Sequence, residues 1–167
     1  REANRKHHVQ SLCALEHLDY RKRSTHAYAQ LFLAASRLRL GDDAMREVFR
    51  RMSFNVMARN CDDHTKNFSF LLRQGGSWEL APAYDVSFAY SPSGEWTYQH
   101  LMSVNGKYKG ITEEDLLAVA DRFGIGTAPA IIEEVRAAIK AWPALAKKAG
   151  VNKSDVARIK SLHLLLT

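Results

Sequence analysis

Asn60-Cys61-Asp62-Asp63-His64-Thr65-Lys66-Asn67-Phe68-Ser69-Phe70-Leu71-Leu72 is the stretch in which this chain changes character. Up to it the apolar residues recur at helical spacing. Within it Phe68, Phe70 and Leu72 alternate with Ser69 and Leu71, the two-residue period of a strand. Gln74-Gly75-Gly76-Ser77 then offers a turn and Trp78-Glu79-Leu80-Ala81 a second strand, so the segment predicts a β-hairpin. Pro82 has no amide hydrogen for a ladder and ends that strand, which leaves Ala83-Tyr84-Asp85 on the loop beyond.

Upstream, Met45, Val48, Phe49, Met52, Val56 and Met57 fall on one face of a helix that ends near Asn60, with Arg46, Arg50 and Arg51 off the stripe. Asp42 and Asp43 are placed to cap it. Before that, Tyr28, Leu31, Phe32, Ala35 and Leu38 predict a helix over 26–40, stopped by Gly41. Residues 86–111 are rich in Ser, Gly, Tyr and Pro and read as a long irregular loop, a feature that in a compact domain is usually functional or mobile. Thr112 followed by Asp115 resembles a capping box, and the helix it opens carries Leu116, Leu117, Ala120 and Phe123 up to Gly124. A further helix runs from Pro129 through Ile131, Ile132, Val135, Ile139 and Trp142 until Pro143, and a last short one spans Ser154 to Leu165. The expected fold is mainly α with a small β-hairpin (α+β), in one domain over residues 1–167.

Composition narrows the class. At 167 residues, 46% hydrophobic and 25% charged, the chain has the make-up of a globular domain with one substantial core. No run approaches the roughly 18 apolar residues of a membrane span, so no membrane partner is expected. The start, Arg1 to Lys6, has no apolar stretch after it and so does not read as a signal peptide. It lacks an initiator Met, as in a processed chain or an internal fragment. Cys13 and Cys61 are too few for a disulfide framework and have no metal-ligand spacing, which points to free thiols in a reducing cytoplasm. His7-His8 lacks a third ligand spaced to join it. The net charge of +6, concentrated at 1–6, 21–23, 46–51 and 147–153, favours ATP, nucleic acid or acidic partners, although each cluster also reads as a solvated face.

The chemistry lies in Asp62, Asn67 and Asp85. With nine Asp and six Asn in the chain, an Asp-x4-Asn pair arises by chance about one time in three. Its placement carries more weight: Asp62 follows a helix C-terminus, Asn67 precedes a strand, and Asp85 follows the hairpin. Phosphoryl transfer uses this order, with one carboxylate to orient the acceptor hydroxyl and an Asn and an Asp to hold magnesium against the phosphates. Asp62 is then the candidate base, and Asn67 and Asp85 are oxygen ligands suited to a hard cation. Lys66 is a candidate catalytic residue that neutralises charge on the transferring phosphate, or else an exposed loop lysine. Among the neighbours, Asp63 reads as a solvated carboxylate or a cap, His64 as a loop-orienting group, Cys61 as packing, and Tyr84 as a support for Asp85. Phe68, Phe70 and Trp78 read as core.

Asn60-x-Asp62-Asp63-His64-x-Lys66-Asn67-Phe68-Ser69-Phe70-Leu71, with Leu80-Ala81-Pro82-Ala83-Tyr84-Asp85, resembles the C-terminal lobe of HipA-type serine/threonine kinases, the toxins of HipBA toxin–antitoxin modules. His8 to Cys13 and Met102 to Lys107 also look like blocks of that family, and the similarity runs over essentially the whole chain. The resemblance implies an ATP- and magnesium-dependent kinase lobe of the bacterial cytoplasm. By position Asp62 matches the base, and Asn67 and Asp85 match the metal ligands; His64 joins Asn67 and Asp85 in the candidate cofactor-binding set. Asp63 stands where some relatives have Gly, so no role carries over to it. The implied partners are a protein substrate, by resemblance an aminoacyl-tRNA synthetase, and a DNA-binding antitoxin through which DNA contact is indirect. The family's Gly-rich loop and strand Lys have no counterpart here, so an N-lobe is expected in cis or in trans, with Gln10 and Cys13 near the lobe junction. Asp62, His64 and Asn67 also satisfy the shorter Asp-x-His-x-x-Asn loop of phosphatidylinositol 3- and 4-kinases. Two other readings stay open: a non-catalytic helical module that binds an antitoxin or DNA, and a fragment of a lipid or small-molecule kinase.

Overall fold

The stripe from Met45 to Met57 becomes the axis of the molecule in the computed structural model, which describes residues 6–166. The basic cluster at 1–6 therefore lies, apart from Lys6, outside the described residues. From the N-terminal end, β1 (His8–Ser11) enters a single helical turn, α1 (Leu12–Leu15), and β2 (His26–Ala27) leads into α2 (Tyr28–Arg37) and α3 (Gly41–Ala58). A 3-10 turn at Thr65–Asn67 precedes β3 (Ser69–Leu72), β4 (Trp78–Leu80) and β5 (Met102–Ser103). The chain finishes with α4 (Glu113–Arg122), α5 (Ala128–Lys140), α6 (Trp142–Lys148) and α7 (Lys153–Leu162).

α3 packs against α2 on one side and α5 on the other. Val48, Phe49, Met52 and Val56 of α3 are fully buried, together with Leu31 and Phe32 of α2 and Ile132 of α5. Side chains of this size stabilise by about 1.5–3 kcal/mol each when taken fully out of water, so this three-helix contact is the main hydrophobic support. Phe32 stacks on Phe123, just past α4, with ring centroids 4.6 Å apart, which draws α4 onto the same core. Trp78 is only half-buried: on the edge strand of the sheet it packs against the margin of the core, with its ring also against His8.

The C-terminal end of α3 delivers the chain into the loop at 60–67. Arg59 adopts φ +59°, the Asn60 amide donates to the Asn55 carbonyl at 2.9 Å, and the Arg59 amide donates to the Val56 carbonyl at 3.4 Å. These two bonds make a Schellman closure, which usually falls to glycine. Here an arginine holds the position, and its side chain is anchored away from the helix: Nε donates to the Leu162 carbonyl at 3.1 Å, and the guanidinium lies over Tyr90.

β3 is the centre of a three-stranded antiparallel sheet, with Phe70 opposite Gln10 of β1 and Leu80 of β4. The expected hairpin is β3–β4, and Pro82 lies beyond its end. Strand β1 is an addition. Its residues alternate little and stay partly exposed, so only the pairing with β3 defines it. β2 and β5, two residues each, pair in parallel and tie the segment before α2 to the 86–111 loop. That loop is irregular, yet Leu101, Met102 and Val104 are buried.

Several boundaries differ from expectation. The helix expected over 26–40 starts with a strand at His26–Ala27 and ends at Arg37. Gly41 opens α3 instead of stopping a helix, because its φ of +81° lets the chain reverse at once. Asp42 and Asp43 sit inside the first turn of α3, where negative charge favours the amide-rich end of the helix, and neither caps it. Pro143 occupies the first turn of α6, a position that needs no amide hydrogen, so it starts a helix where a stop was expected. α7 ends at Leu162, earlier than predicted, and the Asn152 side chain caps it by accepting from the Asp155 amide.

Candidate functional site

Two neighbouring clefts flank the loop between α3 and β3. The first, of about 200 Å³, has Asn60, Asn67, Phe68, Tyr84, Asp85 and Val86 along one side, with Phe54 and Arg51 of α3 behind them. The second, of about 180 Å³, is lined by Tyr20, Arg21, Asp62, His64, Trp96 and Leu101. The structure thus brings Asn67 and Asp85 to one cleft and places Asp62 with His64 at the other, with the 62–67 segment as the partition.

The partition is held by its own side chains. Asn67 Nδ2 donates to the main-chain carbonyl of Asp62 at 2.8 Å, a bond that leaves its Oδ1 as an acceptor. Tyr84 Oη donates to the Lys66 carbonyl and accepts from Ser69 Oγ at 2.6 Å. Tyr84 therefore fastens the Asp85 loop to the 3-10 turn, the support expected of it, while 42% of its surface stays exposed. Asp85 itself has φ +53°, a left-handed conformation that Asp tolerates better than most residues. The two loops are also laced through their backbones: the Cys61 amide donates to the Ala89 carbonyl at 3.1 Å, and the Ala89 amide to the Arg59 carbonyl at 3.0 Å.

Burial raises the Asp62 carboxyl above the ordinary carboxylate value; His64 opposes the rise, and the Asp85 and Asp63 carboxylates add to it. A carboxylate raised in this way is a better proton acceptor. His64 Nε2 lies 4.0 Å from Asp62 Oδ1, and its ring meets that of Tyr20 at 5.7 Å. It borders the Asp62 cleft and not the cleft of Asn67 and Asp85. Lys66 lines neither. Its ammonium sits over the Tyr20 ring, 4.2 Å from the centroid, with the residue exposed.

Asp63 departs most from the sequence reading. It is neither solvated nor a cap: its surface is completely buried, and Tyr28, His100 and the Leu101 amide all donate to it. Sequence reasoning gave no hydrogen-bonding role to Tyr28, Asn55, Asn60 or His100; Tyr28 and His100 touch Asp63 directly, and Asn55 and Asn60 follow in turn behind Tyr28. The one local signal was the polarity of Asn55 and Asn60 at the end of an otherwise apolar helix face. The arginines of the first cleft are already engaged, Arg51 by Glu47 and the Ala81 carbonyl, and Arg50 by Glu47 and Glu134.

The Met102 to Lys107 block has a structural task. Asn105 and Gly106 both take positive φ and form a tight turn in which Val104 and Lys107 pair. Asn105 Nδ2 and Lys107 Nζ then reach Asp115 at 3.0 and 2.8 Å. Asp115 also closes the capping box at Thr112.

Among the described residues no three His, Cys, Asp or Glu side chains converge as a metal-binding group, and no helix is long and apolar enough to cross a membrane. A model of the HipA-like C-terminal domain matches residues 1–142. The fold is similar to that of a chain in the Shewanella oneidensis MR-1 toxin–antitoxin complex of HipA, HipB and operator DNA, with a TM-score of 0.73 and 22% identity. The match covers 96% of this chain and 44% of that one, so this chain spans less than half the length of its structural relative. No curated protein sequence matches the chain.

Proposed function

This chain belongs to the HipA-like C-terminal domain family, and on that premise we propose that it is the catalytic lobe of a serine/threonine protein kinase. It works with an N-terminal lobe supplied in cis or in trans, in the bacterial cytoplasm. The observation that carries the reading is the shared cleft of Asn67 and Asp85, tied to the candidate base by the bond from Asn67 Nδ2 to the Asp62 carbonyl.

In this reading Asp62 accepts the proton of the acceptor hydroxyl, aided by its raised pKa. Asn67 Oδ1 and the Asp85 carboxylate would hold magnesium, which when bound screens the charge of the ATP phosphates. The residues fit that ion: two oxygen donors are too few for a closed protein cage, and magnesium usually takes its remaining ligands from phosphates and water. Asn60 adds a buried Oδ1 with no hydrogen-bond partner beside the same cleft, an acceptor suited to an ordered water. Lys66, on the Asp62 side, would meet the transferring phosphate by leaving the Tyr20 ring. His64 orients Asp62 more readily than it contacts a nucleotide, given the cleft it borders.

The likeness to a HipA found with HipB and operator DNA supports a toxin role in which a DNA-binding antitoxin restrains the kinase and DNA contact is indirect. An aminoacyl-tRNA synthetase is the substrate class implied by the family.

The test is magnesium-dependent transfer of the ATP γ-phosphate to protein, with the chain joined to its N-terminal lobe. The expected result is transfer by the joined protein and a loss of about a hundredfold or more in its Asp62→Asn and Asp85→Asn variants. Undiminished transfer by either variant would sink the assignment.

A further inference from the structure

Asp63, next to the candidate base, is the end point of a buried hydrogen-bond chain. Tyr28 Oη donates to Asp63 Oδ2 at 2.7 Å and His100 Nδ1 donates to the same oxygen at 2.8 Å, while the Leu101 amide donates to Oδ1 at 2.8 Å. The Tyr28 oxygen accepts from Asn55 Nδ2 at 3.0 Å. Asn55 Oδ1 accepts from Asn60 Nδ2 at 3.1 Å, and that same Nδ2 reaches the main-chain carbonyl of Asp85 at 3.4 Å. Donation therefore runs one way, from Asn60 through Asn55 and Tyr28 to Asp63. Bonds aligned in this manner polarise one another in a low-dielectric interior. Tyr28 and Asp63 are wholly buried, and Asn55, Asn60 and His100 nearly so. Burial first, and then the Asp63 carboxylate, raises the Tyr28 phenol well above its ordinary range, so it remains a donor.

We propose that Tyr28, Asn55, Asn60 and Asp63 form a positioning relay that holds the Asp62 loop and the Asp85 backbone in one register, anchored at its far end by His100. The inference rests on the kinase reading of the same site. It explains why an Asp sits beside the base at a buried position: the carboxylate collects α2 through Tyr28 and the 99–104 segment through His100 and Leu101. It also gives Asp85 an outside hold on its left-handed backbone, since Asn60 grips the carbonyl of that residue. The metal ligand and the base then move together or not at all.

Tyr28→Phe cuts the relay at one hydroxyl while keeping the ring that packs edge-on against Phe68 and the Asp63–His100 pair. The first readout is amide hydrogen exchange in the chain. The Cys61 and Ala89 amides, which lace the two loops, should exchange about tenfold faster in Tyr28→Phe, with amides in the middle of α5 unchanged. Unchanged exchange at Cys61 and Ala89 overturns the relay, and so does faster exchange throughout α5, which would mean that the hydroxyl merely supports the fold. The second readout is a Mn²⁺ titration followed by paramagnetic broadening of the Asn67 and Asp85 amides. Tyr28→Phe should weaken Mn²⁺ binding about tenfold, as loss of an outer partner of a metal ligand does. If Asp85→Asn abolishes binding but Tyr28→Phe leaves it intact, the relay is wrong and the site stands. If the unaltered chain takes up no Mn²⁺ at this cleft, the reading of the site fails and the relay with it.

Discussion

Asn67 donates its side-chain amide to the main-chain carbonyl of Asp62 at 2.8 Å, so one residue both shapes the turn of the candidate base and offers an oxygen to the neighbouring cleft. An amide has separate donor and acceptor ends: Nδ2 is engaged by the Asp62 carbonyl, which leaves Oδ1 as the acceptor of a residue that lines the cleft of Asp85. The spacing of five residues between Asp62 and Asn67 thereby has a geometric reason, because a single 3-10 turn brings the Asn side chain back under the Asp carbonyl.

Asn67→Asp keeps an oxygen for the metal but removes the donor, so the Asp62 turn should loosen while metal binding survives. Asn67→Ala removes both and should weaken divalent-metal binding about tenfold or more. Mn²⁺ titrations of the two variants separate these outcomes. Equal affinity for Mn²⁺ in Asn67→Ala and the unaltered chain would remove Asn67 from the metal set.

Asp62→Asn should lower phosphoryl transfer by the joined lobes about 10²- to 10⁴-fold, the usual range for a lost general base. Nucleotide affinity should stay within about twofold, since the Asn67–Asp85 cleft is a separate one. A parallel loss of nucleotide affinity would mean that Asp62 serves binding and not proton transfer.

The Asp63–His100 pair predicts an alkaline limit to stability. Burial works against charge on His100, but the Asp63 carboxylate outweighs it and holds the imidazolium to a pKa of about 10, against the ordinary histidine value of 6.5. A raised folded-state pKa contributes stability that is complete below about pH 6.5 and is lost as pH rises through about 10. Melting temperatures followed across that window should fall in the native chain and fall less in His100→Gln. At neutral pH Asp63→Ala, which strands a buried imidazolium, should cost about 3–5 kcal/mol in urea unfolding.

Asp115 predicts the opposite limit. It accepts from the Thr112 amide, Thr112 Oγ1, Asn105 and Lys107. Burial opposes its ionisation, but Lys107 and the other donors prevail and hold the carboxyl at about 2. That contribution is complete above the ordinary carboxylate value and is lost as pH falls through about 2. Asp115→Ala should cost about 2 kcal/mol, at the upper end for a helix cap because the same carboxylate also fastens the Asn105–Gly106 turn. Chemical denaturation at neutral pH measures it, and a loss near zero would reduce the turn to a passive connection.

Sequence by itself was enough for whatever is written in contacts a few residues apart. The stripe on α3, the β3–β4 hairpin ended by Pro82, and the capping box of Thr112 and Asp115 are all of this kind, since helical and strand periods repeat within one or two turns of chain. The order of Asp62, Asn67 and Asp85 around that hairpin was legible for the same reason. What lay beyond reach depended on distant partners. β1 is a strand only because β3 pairs with it, the proline that seemed to end a helix sits in the first turn of α6, and Arg59 can replace a glycine because Leu162 and Tyr90 hold its side chain. Asp63 is the plainest case. Its neighbours in the chain are polar and suggest water, whereas its partners are Tyr28, 35 residues before it, and His100, 37 residues after it. Only tertiary packing brings those donors together, and a buried carboxylate is tolerable only once they are in place.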